Sequence, residues 1–375
     1  MRTMFERRFT VRVAGAGAAL LIGLSGQPAR SAELLEGLTL DIAATAIYHA
    51  GDLEPVDDTD QLTGVIDGTL TYRPTNRDTF SSTASFAENN ALNDEVPVSL
   101  APFADDLEAA LENVSNRDRD YLLTAWYRRD FDLGPRADFA FTGGLIDTTG
   151  YLDQNAYAND EVGQFQNDIF VNNTLLNLPS YDFGTAAEFS FGDRWSATAV
   201  WFNGETQRAA GDRSFNYFGG QVGWHPTFEM GKGNYRAIAY TTDENFAAVG
   251  GGSEQLTGFG LSLDQSLGKI VGAFARAGWQ DDDAAVAHDA HVSGGMEIGG
   301  NLWGRPQDNA GVGLAYLSGA DGSGIDETYA AEGYVKFGVT EWADVSLDGQ
   351  YIEDNLNNAA DAEALIGSVR VNLIY

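Results

Sequence analysis

Apolar and polar residues alternate along most of this chain with a period of two. In the first such segment Leu40, Ile42 and Tyr48 fall on one face, and Asp41 and His49 fall on the other. This period is the pattern of a β-strand that has one apolar and one polar face. Sixteen segments show it, at 38–49, 62–72, 79–88, 120–131, 137–146, 184–192, 195–203, 214–225, 233–242, 255–264, 270–280, 291–302, 310–318, 327–338, 343–352 and 364–375.

The connections between these segments alternate between short and long. Short ones include 73–77, 192–194 and 304–309, whereas longer ones lie near 50–61, 89–119, 147–183, 204–213, 243–254, 281–290, 319–326 and 353–363. An even strand number with short turns on one side and longer loops on the other is typical of outer-membrane barrels. Residues 32–375 are therefore predicted to form an all-β, transmembrane antiparallel β-barrel of about 16 strands.

A soluble β-sandwich also alternates, so the period alone leaves that class open. Aromatic residues gather at the ends of the segments, as in the girdles that barrels place at the two lipid interfaces. Among them are Tyr48, Tyr72, Trp195, Trp201, Trp279, Trp303, Phe337, Trp342 and Tyr351. The polar faces also carry charges of both signs, which a packed soluble core does not accommodate. Both observations favour the barrel.

Residues 1–31 are predicted to be a secretory signal peptide. Arg2, Arg7 and Arg8 precede a short apolar run at 13–24, and Ala29 and Ser31 form a small-x-small cleavage site. The run is too short to span a membrane as a helix. The chain has no cysteine, so disulfides contribute nothing to its stability.

The formal net charge of the chain is −33, and residues 1–31 carry five Arg and one Glu, which leaves −37 for residues 32–375. So acidic a chain is not expected to bind nucleic acid, which requires clustered Lys and Arg. The loops near 50–61, 281–290 and 353–363 contain many Asp and Glu and no Lys or Arg. An acidic outer surface or a cation-attracting pore mouth would both account for this.

Residues 147–182 have no strand period and are rich in Asn, Asp, Gln and Tyr. Irregular segments of this length in a compact domain are usually functional or disordered. This one also contains Phe165, Phe170, Val171, Leu175 and Leu176, too many apolar groups for a free linker. We predict that it is the third external loop and that it folds into the barrel. In the loop before it, helical spacing predicts a short helix over 104–114.

A lumen narrowed by such a loop would suit the passage of sugars. Amides, carboxylates and guanidinium groups bond sugar hydroxyls, and aromatic rings cover the apolar face of a sugar. The candidate lining residues of the segment are Asp147, Tyr151, Asp153, Asn155, Asn159, Asp160, Glu161 and Gln164. The inward faces of the strands add Arg128, Arg276, Glu332 and Arg370. A structural role for each of these residues is the alternative.

Three stretches resemble the carbohydrate-selective porins of Gram-negative outer membranes, the OprB-type family. They are GGLIDTTGYLDQNAYANDEVGQFQNDIFVNN with LPSYDFG at 143–184, LWGRPQDNAGVGLAY at 302–316, and DGQYIEDN at 348–355. The resemblance implies a sixteen-stranded outer-membrane channel whose third external loop narrows a passive path for small carbohydrates. A general or cation-preferring porin without sugar selectivity is the alternative. No nucleophile motif of a hydrolase is present, so an enzyme is not predicted.

The last segment alternates Val369, Val371 and Leu373 with polar residues and stops at Tyr375. An aromatic end resembles the signal by which outer-membrane barrels are assembled, so the assembly machinery is an expected partner, beside membrane lipids and small sugars. A monomer and a trimer are both open. His288 and His291 near Asp281–Asp283 are read as part of an acidic surface loop, and no metal or cofactor is expected.

Overall fold

The computed structural model describes residues 32–117, 119–206 and 213–374, so the predicted signal peptide and Tyr375 lie outside the described residues. Sixteen strands make up the barrel: β1 Leu38–Glu54, β2 Thr59–Tyr72, β3 Asp78–Glu88, β4 Leu122–Asp132, β5 Ala137–Ile146, β6 Asp182–Phe191, β7 Trp195–Thr206, β8 Arg213–Trp224, β9 Gly231–Thr242, β10 Thr257–Leu267, β11 Val271–Gln280, β12 His288–Gly299, β13 Asn309–Gly319, β14 Ile325–Thr340, β15 Ala343–Leu356 and β16 Ala362–Ile374.

The remaining elements are short. Strand Ala32–Leu35 pairs with the start of β1, Thr227–Phe228 pairs with the start of β9, and Phe246–Ala247 pairs with Ser253–Glu254. The helices are α1 Glu108–Leu111, α2 Asp168–Val171 and the 3-10 turns Val114–Asn116, Thr148–Gly150, Thr174–Leu176 and Gly300–Trp303. None of the helices in the described residues is both long enough and apolar enough to cross a membrane.

The sheet closes on itself. Each barrel strand pairs antiparallel with its neighbour along the chain, and β1 pairs antiparallel with β16 through partners such as Ala46 and Val371. Closure gives every strand two partners and removes the unpaired edges that a lipid environment does not tolerate. The prediction of a closed antiparallel barrel of about 16 strands is confirmed.

The alternation decides which side chains face inward. Tyr48 is 42% exposed on the outer face of β1, whereas the next residue, His49, has no exposed surface and points into the barrel. Aromatic rings pair across strands near both rims on the outer face, as in Trp195 with Trp224 at the turn side and Tyr316 with Tyr329 at the loop side. An apolar outer band between aromatic girdles is the surface that lipid requires.

The external hairpins are longer than the sequence predicts, and their loops are shorter. The expected loop at 50–61 is strand on both sides of residues 55–58, and the expected loop at 353–363 shrinks to 357–361. The period of two continues through these acidic stretches: Leu53 is buried between the exposed Asp52 and Glu54, and Asp354 is buried between the more exposed Glu353 and Asn355. Reading charged residues as loop was therefore wrong here.

Two external loops enter the barrel. We call residues 89–121, between β3 and β4, the second loop, and residues 147–181, between β5 and β6, the third loop. The expected entry of the third loop is found: Phe165, Ile169, Phe170 and Leu176 in it have no exposed surface. The second loop enters too, and the sequence did not predict this. Its helix over 104–114 is shorter than expected, being α1 followed by a 3-10 turn.

Candidate functional site

The third loop owes its shape to its Asn and Asp side chains, which cap its short turns. Asp147 accepts a hydrogen bond from the Thr149 amide at 2.9 Å, and Asn155 accepts one from the Tyr157 amide at 3.1 Å. Asp160 accepts from the Val162 and Gly163 amides at 3.0 and 2.8 Å. Such Asx turns satisfy backbone donors that no strand or long helix pairs. The polar composition of the loop thus has a structural cause.

Asp153 and Arg276 form an ion pair that fastens the loop to β11. Their side chains have no exposed surface, and Arg276 Nε donates to Asp153 Oδ1 at 3.1 Å. The guanidinium also donates to the carbonyl oxygens of Phe170 and Val171 at 2.7 and 3.1 Å. Asp153 Oδ2 accepts from the Asn173 amide at 2.6 Å. One wall residue therefore joins the beginning and the end of the inserted segment.

Two further wall residues hold the middle of the loop. The Glu332 carboxylate, on β14, accepts from the amides of Gln166 and Asn167 at 2.5 and 3.0 Å. Arg370, on β16, donates to the carbonyl oxygens of Glu161 and Gln164, the latter at 3.0 Å. Like Arg276, both side chains are buried. The structure therefore brings these three predicted residues to the loop and not to an open water-filled surface.

An apolar contact completes the attachment. Phe165 packs edge-on against Phe274 and Tyr334, with ring centroids 5.4 and 5.0 Å away, and lies 5.2 Å from Phe170. Such aromatic pairs add about 0.5–1.5 kcal/mol each beyond the area they bury.

Gln166 links the two strands at which the barrel closes. Its side chain forms hydrogen bonds with His49 on β1 and with Ser368 on β16, each at 2.9 Å.

Four of the predicted site residues keep partly exposed side chains, namely Arg128, Tyr151, Asp160 and Gln164. Arg128 lies on β4, where it pairs with Glu188 and with Asp130, the latter at 3.0 Å. The other members of the loop set are buried: Asp147, Asp153, Asn155, Asn159 and Glu161. Asn159 belongs to the internal frame of the loop, since its side chain accepts from the Asn155 amide at 2.8 Å.

The second loop lies against the third and reaches β15, the wall strand between β14 and β16. Its Ser99 bonds the Asp354 carboxylate on β15 through the amide at 2.6 Å and through the hydroxyl at 3.0 Å. The Ala104 amide donates to the Gln166 carbonyl at 2.9 Å, and the Asp168 amide donates to the Ala101 carbonyl at 3.2 Å. Its apolar residues are the sequence signal that could have predicted the entry of the second loop. Leu100, Phe103 and Leu107 are too many for an exposed loop, and all three are buried.

The second loop also carries two consecutive aspartates into the interior. Burial, with the nearby Asp67 carboxylate as the second cause, raises the pKa of Asp105 to about 8. Burial and the Asp105 charge raise the pKa of Asp106 well above its usual range, and Tyr181 donates a hydrogen bond to that carboxylate. The interior between the two loops is therefore rich in carboxyl groups.

The arrangement is a polar lumen, closed by hydrogen-bonded strands and narrowed by loops bound to its walls. A sequence model of the carbohydrate-selective porins of the OprB family matches residues 49–374. The chain belongs to the OprB family. It is a channel of the Gram-negative outer membrane that passes carbohydrates, and it is not an enzyme.

Comparison with solved structures agrees with the barrel fold. The structure of Pseudomonas putida OprB at high pH has a TM-score of 0.72 and 15% sequence identity, covering 91% of this chain and 94% of its own. The outer membrane channel DcaP of Acinetobacter baumannii has a TM-score of 0.56 at 8% identity, covering 91% and 98%. At these identities the two structures show a common fold.

Another relative has a higher sequence identity to this chain than these two structures have. An uncharacterized protein of Aquifex aeolicus (strain VF5) is 28% identical over 278 residues, which cover 73% of this chain and 78% of that protein. Its description adds nothing on function. The family match therefore supplies the class of solute, and the finer assignment of roles within this OprB-family barrel depends on its own contacts.

Proposed function

We propose that small neutral sugars diffuse through the lumen past a constriction formed jointly by the second and third loops. The observation that supports this proposal is the attachment of the third loop to β11, β14 and β16 through Arg276, Glu332 and Arg370. A loop tied to three separate strands is held inside the lumen, and a solute must pass beside it.

We assign the predicted site residues to two roles. Arg276, Glu332 and Arg370 position the third loop from the wall. The loop residues Asp147, Asp153, Asn155, Asn159 and Glu161, all buried, give it its internal frame. Arg128, Tyr151, Asp160 and Gln164 keep exposed surface, and we assign the contact with sugar hydroxyls to these four.

The test is the current through the purified protein in a planar bilayer, with and without glucose. Glucose is expected to reduce the current in a concentration-dependent manner. Exchanging Asp160 for Asn keeps a polar side chain that still forms hydrogen bonds with sugar hydroxyls. The variant is therefore expected to retain most of the glucose block. Strong cation selectivity without any glucose block in the parent protein would favour a general or cation-preferring porin and would refute the sugar channel.

We propose that the assembly machinery of the outer membrane recognises β16. Val369, Val371 and Leu373 on this strand are exposed on the lipid face, while Arg370 and Asn372 are buried inside. Deleting Tyr375 is expected to lower the amount of heat-modifiable barrel in the membrane. Unchanged amounts would refute the role. Cross-linking in intact membranes would distinguish a monomer from a trimer.

A further inference from the structure

The aromatic girdle on the turn side of the barrel has a gap at β5. Tyr72, Phe80 and Tyr127 are neighbours on the outer faces of β2, β3 and β4, with successive ring centroids 6.4 and 4.8 Å apart. The strand register pairs Tyr127 with Gly143 of β5. The row of rings therefore stops at a residue that has no side chain.

A groove of about 440 Å³ lies on the outer face at this gap, and we call it the girdle groove. It is lined by the small residues Ser82, Ala125 and Gly143 and by the rings of Phe80 and Tyr127. A Cβ atom added at Gly143 would have its nearest neighbour in the described residues at 3.7 Å, so the space over this glycine is open. The volume is within the range of about 300–1,000 Å³ that is usual for ligand pockets. The apolar lining suits an acyl chain.

An exposed arginine lies at the turn-side end of the girdle groove. Arg129 follows Ala125 and Tyr127 on the outer face of β4, and in the strand register it is the diagonal neighbour of Gly143. Diagonal neighbours in an antiparallel pair lie about 7–8 Å apart. The guanidinium is therefore close to the headgroup of any lipid whose acyl chain lies in the groove.

The guanidinium of Arg129 is held in position and still faces outward. Its Nη1 atom donates to Asp78 Oδ1 at 2.7 Å, and its Cζ atom lies 5.7 Å from the centre of the Phe131 ring. Thr75 and Tyr127 also donate to the Asp78 carboxylate. The Asp78 side chain is 14% exposed and that of Arg129 is 44% exposed. The positive partner of this ion pair is thus the one that a ligand meets, and its planar set of donors fits the oxygens of a phosphate.

The turn next to the girdle groove adds positive charge. Residues 73–77, between β2 and β3, include Arg73 and Arg77 and no acidic residue, in a chain whose formal net charge is −33. The short turns of outer-membrane barrels face the periplasm, so this charge lies at the headgroups of the periplasmic leaflet. Basic side chains at a membrane surface attract anionic headgroups.

A second groove on the outer face differs from the girdle groove in charge. It also has a volume of about 440 Å³, and Gly333 of β14 and Leu347 of β15 are among its lining residues. The exposed residues that follow on β14 toward the turn are the apolar Phe337 and Val339, and the turn itself contains Glu341. Charge complementarity to an anionic headgroup therefore distinguishes the girdle groove from a groove of equal size.

We propose that the girdle groove is a binding site for a glycerophospholipid of the periplasmic leaflet. One acyl chain lies over Ser82, Ala125 and Gly143, and the phosphate accepts hydrogen bonds from Arg129. The chain fills the gap in the row of rings, and the guanidinium compensates the phosphate charge. This site is on the outer wall, so its test does not depend on the solute that passes through the lumen.

The experiment titrates the purified protein in detergent with dioleoylphosphatidylglycerol and with dioleoylglycerol, which has the same chains and no phosphate. Native mass spectrometry measures the bound lipid. The parent protein is expected to bind the phospholipid about fivefold more tightly, as one basic group at an anionic headgroup provides. Arg129→Gln is expected to bind both lipids equally. Gly143→Leu fills the groove and is expected to weaken the binding of both.

Gly333→Leu is the matched control. Gly333 lies in the second groove, and the nearest atom of the described residues to a Cβ added there is 3.8 Å away. This variant is expected to bind both lipids as the parent protein does. Heat-modifiable migration in gels verifies that each variant has folded.

Several results would overturn the proposal. Equal binding of the two lipids by the unaltered protein refutes the phosphate contact without any variant. A phospholipid preference that survives in Arg129→Gln assigns the phosphate to another group. Equal losses in Gly143→Leu and Gly333→Leu refute the girdle groove as the site. A dimer that Gly143→Leu abolishes and the phospholipid does not dissociate shows that a second copy of the chain covers the groove.

Discussion

Arg276 and Asp153 form an ion pair to which water has no access, and such pairs respond very differently to the loss of one partner than to the loss of both. Removing one leaves an uncompensated buried charge, which typically costs about 3–5 kcal/mol. Arg276 also donates to two carbonyl oxygens, so its loss leaves unpaired acceptors in the third loop as well. The consequence is local, because β11 keeps its ladder partners.

We predict that Arg276→Met loosens the third loop without opening the barrel. Hydrogen exchange of the amides of residues 170–173 is expected to quicken by about two orders of magnitude or more, given a cost of about 3–5 kcal/mol. Arg129→Met is the control, because its ion pair with Asp78 is exposed at the turn side and contributes about 0–1 kcal/mol. Equal exchange in parent and Arg276→Met would contradict the role of this residue as an anchor.

A second prediction at this scale concerns pH. Burial raises the pKa of Asp168 to about 7, above the value of about 3.9 for an exposed aspartate. The group therefore stabilises the loop contact in its neutral form, and that contribution is lost as the pH rises through about 7. The contact between Asp168 and Ala101 is expected to weaken between pH 6 and pH 8.5. Hydrogen exchange of residues 98–106, corrected for intrinsic rates, measures this. In Asp168→Asn the dependence should weaken to the part that Asp105, whose pKa is about 8, contributes to this segment. An unchanged dependence would assign all of it to a group other than Asp168.

At the scale of elements, the third loop is the part that narrows the lumen. We predict that shortening residues 151–164 raises ion conductance and weakens current block by glucose together. Both changes are expected because these residues carry Asp160 and Gln164 and also fill space inside the barrel. The control shortens the outer loop at residues 320–324, between β13 and β14. An increase in conductance with unchanged glucose block would place the sugar contacts elsewhere.

The strands were predictable from sequence and the second loop was not, for one physical reason. Alternation is a local property, so each of the sixteen segments can be recognised from about ten consecutive residues. The position of the second loop depends on contacts such as that of Ser99 with Asp354, which lies 255 residues away. The candidate site shows the same division: the inward faces of Arg276, Glu332 and Arg370 follow from alternation, whereas their binding to loop carbonyls and amides does not.

At the scale of the whole molecule, the antiparallel order of successive strands places all eight external hairpins on one side of the membrane, and the even strand number places both chain ends on the other. We predict that an epitope tag near Asp58 or Asp282 is detected on intact cells and that a tag near Asn76 is detected after the outer membrane is permeabilised. Antibody binding with and without permeabilisation measures this. The reverse pattern would overturn the topology.

Gln166 bonds the first and the last barrel strand at once, through His49 and Ser368. Ring closure and loop insertion are therefore thermodynamically coupled: until β16 arrives beside β1, half of the binding site for Gln166 does not exist. The third loop then stabilises the pairing of β1 with β16 from inside the barrel. We therefore expect the third loop to complete its insertion when β1 pairs with β16. A closed barrel whose third loop is still outside the lumen is then not expected as an assembly intermediate.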